Sequence, residues 1–255
     1  MKAGISALVA LVLLGGWSVV AAGEQKQENP SGPTPEEIIR KFSSQESEFF
    51  EAWKQYWYRQ VAEIRILAVD GRPSNERIVL ESEVVFDDEG NRDIKVVRRS
   101  GRLRSVTWTD DDEKVIHDVH PFALTTSELP LYSVKYTGKE RVDELDCYVF
   151  SVKPKSTNGG RFYFEGKIWV DDQDYQIVRS IGKAVPQSST VQYPEFETIR
   201  QTVDGKYWFP AWTHADTTLR FPSGRIRIEE TITYEDYRRF ASKATIDFGP
   251  VKPPE

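Results

Sequence analysis

The sequence predicts a mainly β protein with a few helices, built as a strongly curved antiparallel sheet or incomplete β-barrel plugged by helices. Three observations lead there. Apolar and polar residues alternate with a period of two along most of the chain, in runs closed by Asp- and Gly-rich turns. A helical period occurs only near the start, with one irregular stretch in the middle. Aromatic residues make up 12% of the 255 positions while Met occurs once, a balance suited to a core packed between strands.

The chain opens Met1-Lys2, runs apolar from Ala7 to Ala22 and reaches Val20-Ala21-Ala22 before Gly23. A basic start, a short apolar core and small residues at the cut are the pattern of a cleaved secretory signal peptide over residues 1–22. Gly15, Gly16 and Ser18 interrupt the run, against a membrane anchor, which needs about 20 apolar residues. No Cys follows the run, so the mature chain is expected to be exported, periplasmic and without a lipid anchor. Residues 23–34, rich in Pro, Gly and polar side chains, read as a flexible leader, 35–240 as one domain and 241–255 as a C-terminal tail. The net charge of −6 becomes one unit more negative when Lys2 leaves with the signal peptide, which argues against a nucleic-acid partner. Cys147 is the only cysteine, so no internal disulfide forms and stability must come from the core.

Thr34 reads as a helix N-cap, with Pro35 at the first helical position and Glu37 completing a capping box. Ile38, Phe42, Phe49, Trp53 and Trp57 then share a helical face, with Phe42, Phe49 and Trp53 as the expected cover for an apolar sheet face. From Tyr58 the period changes to two. Ala62, Ile64 and Ile66 lie on one face of a strand ending at Asp70-Gly71, and Leu80, Val84 and Phe86 on one face of the next. Residues 93–99 return after a turn over 87–91, and 103–109 read as a further short strand. The acidic run 110–113 lacks the alternating ligands and glycine of a calcium loop, so it reads as a solvated turn. Residues 115–132, carrying Pro121 and Pro130, break the alternation and read as short helices or a helical loop lying on the sheet.

The second half is all strand, for about ten strands in total. In residues 161–183 two strands flank the turn Asp171-Asp172-Gln173-Asp174. Phe162, Phe164, Ile168 and Val170 fall on one face with Gly166 between them, continued by Tyr175, Ile177 and Ile181 after the turn. Arg161, Tyr163, Glu165, Lys167 and Trp169 fall on the other. Residues 186–194 read as a mobile segment. Residues 196–203 and 206–214 pair across Asp204-Gly205, with Pro210 at an edge or bulge. A last hairpin joins 217–221 to 226–234, where Ile226, Ile228, Ile232 and Tyr234 share a face with Glu230. A carboxylate there must be paired, hydrated or facing a cavity that holds water or a ligand head group, unless the position is a sheet edge reaching solvent.

No catalytic set is expected. His117 and His120 have a spacing seen at some metal sites, but a third ligand such as His214 or Asp216 would have to arrive by folding, so no metal is assigned. No serine sits in a nucleophile elbow, Cys147 has no nearby base, and no glycine-rich loop cradles phosphate. No cofactor is expected.

The run Tyr136-x-Gly138-Lys139-Glu140-x-Val142, then Cys147-Tyr148-Val149-Phe150-x-Val152-x-Pro154-Lys155, then Gly166-x-Ile168-Trp169-Val170-Asp171 resembles the outer-membrane lipoprotein-sorting protein family, which shares the fold of LolA, LolB and RseB. The continuation Ile177-Val178-Arg179 is similar to the family's next strand. The resemblance covers residues 132–183 and is architectural elsewhere. It implies a half-barrel whose cavity accepts the acyl chains of lipids or lipidated proteins, so the chain is expected to be a carrier or chaperone linked to outer-membrane lipoprotein sorting and not an enzyme. Phe162, Phe164, Ile168, Val170, Ile226, Ile228, Ile232 and Tyr234 are the expected cavity wall. An RseB-like regulatory module with a membrane-protein partner is the alternative, and an exported hydrolase a third reading.

Overall fold

Thr34 starts the first helix as its composition dictates. Its hydroxyl accepts the Glu37 N–H at 3.3 Å and the Glu37 carboxylate accepts the Thr34 N–H at 2.9 Å, ahead of α1 (Pro35–Trp53). In this computed structural model residues 32–68, 70–87 and 91–240 are described. The signal peptide, most of the leader, the middle of the 87–91 turn and the tail from 241 lie outside the described residues. Ile38, Phe42, Ser43, Glu46, Phe49 and Trp53 form the buried face of α1. Trp57, expected on that face, lies instead in β1 (Tyr56–Leu67), because the strand period already places Tyr56 and Tyr58 inward and Trp57 outward.

The remaining strands are β2 (Pro73–Phe86), β3 (Arg92–Arg102), β4 (Tyr132–Val142), β5 (Leu145–Pro154), β6 (Tyr163–Asp171), β7 (Ile177–Val185), β8 (Glu195–Thr202), β9 (Trp208–Phe221) and β10 (Gly224–Arg239). They form one sheet in the order β3-β2-β1-β10-β9-β8-β7-β6-β5-β4, antiparallel throughout and open between β3 and β4. The fold class read from the alternation is therefore the one observed. No helix among the described residues is long and apolar enough to cross a membrane.

Four local readings change. Residues 103–109 are not a strand, and the acidic run forms a short helix, α2 (Asp110–Lys114), capped reciprocally by Thr109 and Asp112. A π-helical turn (Val115–Val119) follows directly. β9 is continuous through His214–Thr217, where the sequence suggested a break. Ile181 lies on the face opposite Ile177: Trp169 pairs with Arg179 and Val170 with Ile177, so Val178 is an extra residue and the alternation inverts after it. Pro210 does sit at an irregularity, between the Ile199–Trp212 and Arg200–Pro210 pairs.

Two apolar clusters fill the helix-covered face. One centres on Phe42, Phe150, Phe164, Ile168, Val170 and Phe196, the other on Phe49, Trp53, Tyr58, Ile64, Leu80, Phe209 and Ile232. A smaller cluster of Cys147, Val149, Trp169 and Val178 lies on the outer face. Gly166 and Gly182 are paired across β6 and β7, and a Cβ on either would meet the Phe164 ring, at 2.8 and 2.5 Å respectively. Their missing side chains let that ring lie on the strand pair.

Candidate functional site

The two apolar clusters meet at a buried ion pair. Glu46 on α1 is 0% exposed and Arg200 on β8 is 4% exposed. The pair is bidentate, with Nη1–Oε1 at 3.0 Å and Nη2–Oε2 at 3.1 Å. The Ile177 N–H donates to Glu46 Oε1 at 3.1 Å, Arg200 also donates to the Phe122 carbonyl, and the guanidinium lies 4.8 Å from the Phe49 ring centre. One polar knot thus ties α1, β7, β8 and the segment before β4 together. Both charges are legible: Glu46 interrupts the α1 stripe four residues after Phe42, and Arg200 shares an inward face with Phe196 and Thr198. The sequence reading passed over both.

Glu230 is the second buried acid of this face. It pairs with Ile64 of β1 and Ala215 of β9, so it lies inside the sheet and the edge reading is overturned. Its Oε1 lies 3.1 Å from His120 Nδ1, yet neither atom makes a hydrogen bond, so the separation is right and the alignment is not. His120 is buried against the Phe196 ring, 4.2 Å between centres. Burial pushes the Glu230 carboxyl up to about 8 and the His120 imidazole down to about 3, which favours a neutral acid beside a neutral ring. His117, with Nδ1 3.4 Å from Gln60 Oε1, is pushed down to about 4, first by burial and then by Arg92.

His214 stacks on Trp212 at 5.2 Å, and Asp216 is ion-paired with Arg227 at 2.7 Å. Both alternate with the inward Thr213 and Ala215, so the sheet separates them from His117 and His120. Among the described residues no group of three His, Cys, Asp or Glu is placed to hold a metal. Cys147 is buried, and burial first, then Asp171, pushes its thiol up to about 12, which suppresses the thiolate.

Two cavities open beside these groups. The first, about 400 Å³, lies between residues 103–116, residues 190–194 and the ends of β9 and β10, with Ile226, Ile228 and Glu230 on its β10 side. The second, about 660 Å³, lies between α1, residues 118–128, Arg161, Phe162 and Phe164. Phe164 stacks there on Phe122 at 4.4 Å. Of the residues expected to form a wall, Ile226 and Ile228 line the first cavity, and Phe162 and Phe164 the second. Ile168, Val170, Ile232 and Tyr234 are packed in the core and line neither. Phe42, Phe49 and Trp53 are fully buried between α1 and the sheet. The 103–109 and 190–194 segments, read as a strand and a mobile segment, are walls of the first cavity. Trp108 and Tyr193 are the aromatic signals that could have marked them.

No family model and no curated protein matches this sequence. Among solved structures the chain is similar to an outer membrane lipoprotein-sorting protein domain from Vibrio parahaemolyticus, at 10% identity over 83% of this chain and 95% of that one, with a TM-score of 0.39. A LolA superfamily protein from Nitrosomonas europaea matches at 13% identity over 84% and 97%, TM-score 0.37. The MucA/MucB complex of Pseudomonas aeruginosa contributes a chain at 12% identity over 77% and 98%, TM-score 0.22. The first bears the name of the family that the 132–183 motifs resemble, and the second is of the LolA superfamily.

Proposed function

We propose that the chain is an exported, periplasmic carrier or chaperone, whose single half-barrel domain over 35–240 binds the acyl chains of lipids or lipidated proteins in outer-membrane lipoprotein sorting. The observation that carries this reading is the cavity of about 400 Å³, walled by Leu103, Trp108, Ile116, Leu219, Ile226 and Ile228. A flexible acyl chain needs an apolar, non-directional space, and each buried methylene contributes about 0.8 kcal/mol. A longer chain is accommodated when residues 115–132 and α1 withdraw from the sheet, which turns Phe162, Phe164, Ile168, Val170, Ile232 and Tyr234 from core into wall, with Phe42, Phe49 and Trp53 as the displaced cover.

Native mass spectrometry of the protein purified from its own host tests the reading: co-purified lipid is the expected result, and a lipid-free protein that also rejects a fluorescent acyl probe ends it. Phe164→Asp sharpens the test, because retention should fall at least as far as stability; lost stability with intact retention makes that face core only. A regulatory module with a membrane-protein partner is the second reading. It is favoured by the edge strand β3, paired with β2 on one side only, which carries Val96 and Val97 at 38% and 45% exposure.

A further inference from the structure

We propose that the cavity beside β10 selects amphiphiles whose polar head is an amine cation and turns away fatty acids and other anionic heads. The inference rests on the reading of that cavity as a lipid site and names its head-group class.

The carboxyl of Glu230 lies at the apolar floor of the cavity, 4% exposed, with Oε1 free of hydrogen bonds and no lysine or arginine ion pair. Asp111 and Asp112 stand at the opposite wall. Asp111 is compensated by Lys114 Nζ at 2.8 Å, whereas Asp112 is engaged by the Thr109 N–H and hydroxyl, both at 2.7 Å, which supply no positive charge. No Lys, Arg or His lines this cavity among the described residues. The negative field is felt at Tyr193, also a lining residue, whose hydroxyl is pushed up to about 12 by burial first and then by Asp112 and Asp111.

An anionic head entering here loses its water and meets Asp112 and Glu230, the two acids without a basic partner of lysine or arginine, with no cation on the lining. An ammonium head meets the counter-charge that Glu230 otherwise lacks. Glu230 is held protonated by burial, aided by Asp112, so a bound cation reverses the balance. The carboxylic O–H bond breaks, the proton leaves to solvent, and the carboxylate is retained against the ammonium. His120, 3.1 Å from Oε1 and uncharged by its own burial, and Tyr234, whose hydroxyl is pushed up by burial and in part by Glu230, are further titratable groups beside Glu230.

The test measures decylamine, decanol and decanoate on the full chain at pH 6.5, by displacement of a neutral fluorescent acyl probe and by calorimetry in two buffers of different ionisation enthalpy. Decylamine should bind roughly 10-fold or more tightly than decanoate, releasing about one proton per ligand, with decanol between them and releasing none. Glu230→Gln should erase the advantage of decylamine over decanol and the proton release together. Equal or tighter binding of decanoate to the unaltered protein overturns the head-group assignment while leaving the lipid site standing. Failure of all ligands to bind removes both. Should Glu230→Gln not fold, Asp112→Asn serves: a decline of about threefold in amine preference is expected, and an unchanged preference overturns the proposal.

Discussion

Glu46 and Glu230 are both glutamate side chains on the helix-covered face of the same sheet, each less than 5% exposed, yet their surroundings differ in kind. Glu46 meets a guanidinium in two parallel contacts and a backbone N–H, so its lone pairs are used and its charge is cancelled. Glu230 meets one imidazole at 3.1 Å, misaligned and stripped of charge by its own burial, with a cavity beside it. A finished polar knot closes a core, whereas an unfinished one beside an empty space is where a ligand can complete the set. The difference separates the structural part of this face from its functional part.

The largest effect should come from breaking the finished knot. Arg200→Leu leaves Glu46 buried without its partner, and denaturant unfolding should report a loss of about 3–5 kcal/mol. Glu46→Leu together with Arg200→Leu should recover most of that loss, since replacing both members of a buried pair by apolar side chains is often close to neutral. If the double variant is as unstable as Arg200→Leu alone, the pair does more than cancel its own burial, and the contrast with Glu230 weakens.

The unfinished pair should announce itself through pH. Folded Glu230 holds a proton up to about 8 where a free carboxyl loses it near 4.5, so the folded state binds more protons than the unfolded across that window and stability falls as pH rises. Folded His120 stays neutral down to about 3 where a free imidazole protonates near 6.5, so its contribution rises with pH over that lower window. His117 acts in the same direction between about 4 and 6.5. The contribution of the two histidines therefore levels off above pH 6.5, whereas Glu230 goes on lowering stability up to about 8. Unfolding free energies measured there should drop by up to ~2 kcal/mol in the unaltered protein and by much less in Glu230→Gln. Parallel curves for the two proteins would show that Glu230 ionises normally and that its surroundings are wetter than the packing implies.

Much of this contrast is legible in the chain, and the part that is not has a physical reason. The alternation of Ile226, Ile228, Glu230, Ile232 and Tyr234 places the acid on an apolar face, and that reading holds. Whether the position was an edge or the sheet interior depended on β10 returning to pair with β1, a contact between residues more than 150 positions apart that no local pattern encodes. Glu46 was equally visible as a charge within the Ile38–Phe42–Phe49–Trp53 stripe, but its partner lies on a strand 154 residues away. The inversion at Val178 escaped because a bulge is set by strand pairing, and a run of Ile177-Val178 is apolar on either face. Residues 103–109 carry the alternation of a strand but join no ladder, and they become cavity wall instead.

The smallest effect tests whether α1 is held by the knot or by its own end. Thr34 and Glu37 satisfy each other's N–H groups at the start of the helix, and this contact is local and solvent-exposed. Thr34→Ala should therefore cost about 1 kcal/mol, the usual worth of an N-cap. Glu46 is twelve residues, more than three turns, farther along the helix, and it is anchored by groups that the cap does not touch. Combined with Arg200→Leu, the cap loss should add within about 0.5 kcal/mol, as distant independent sites do. A sum well short of additive would mean that losing the ion pair already releases the first turn, and that α1 detaches as one unit. In that case Arg200→Leu alone should increase amide exchange at Glu37 and Ile38 as strongly as at Phe49. Additive energies with exchange confined to the middle of α1 would instead make the Glu46–Arg200 contact a pin at one point of a helix that stays docked.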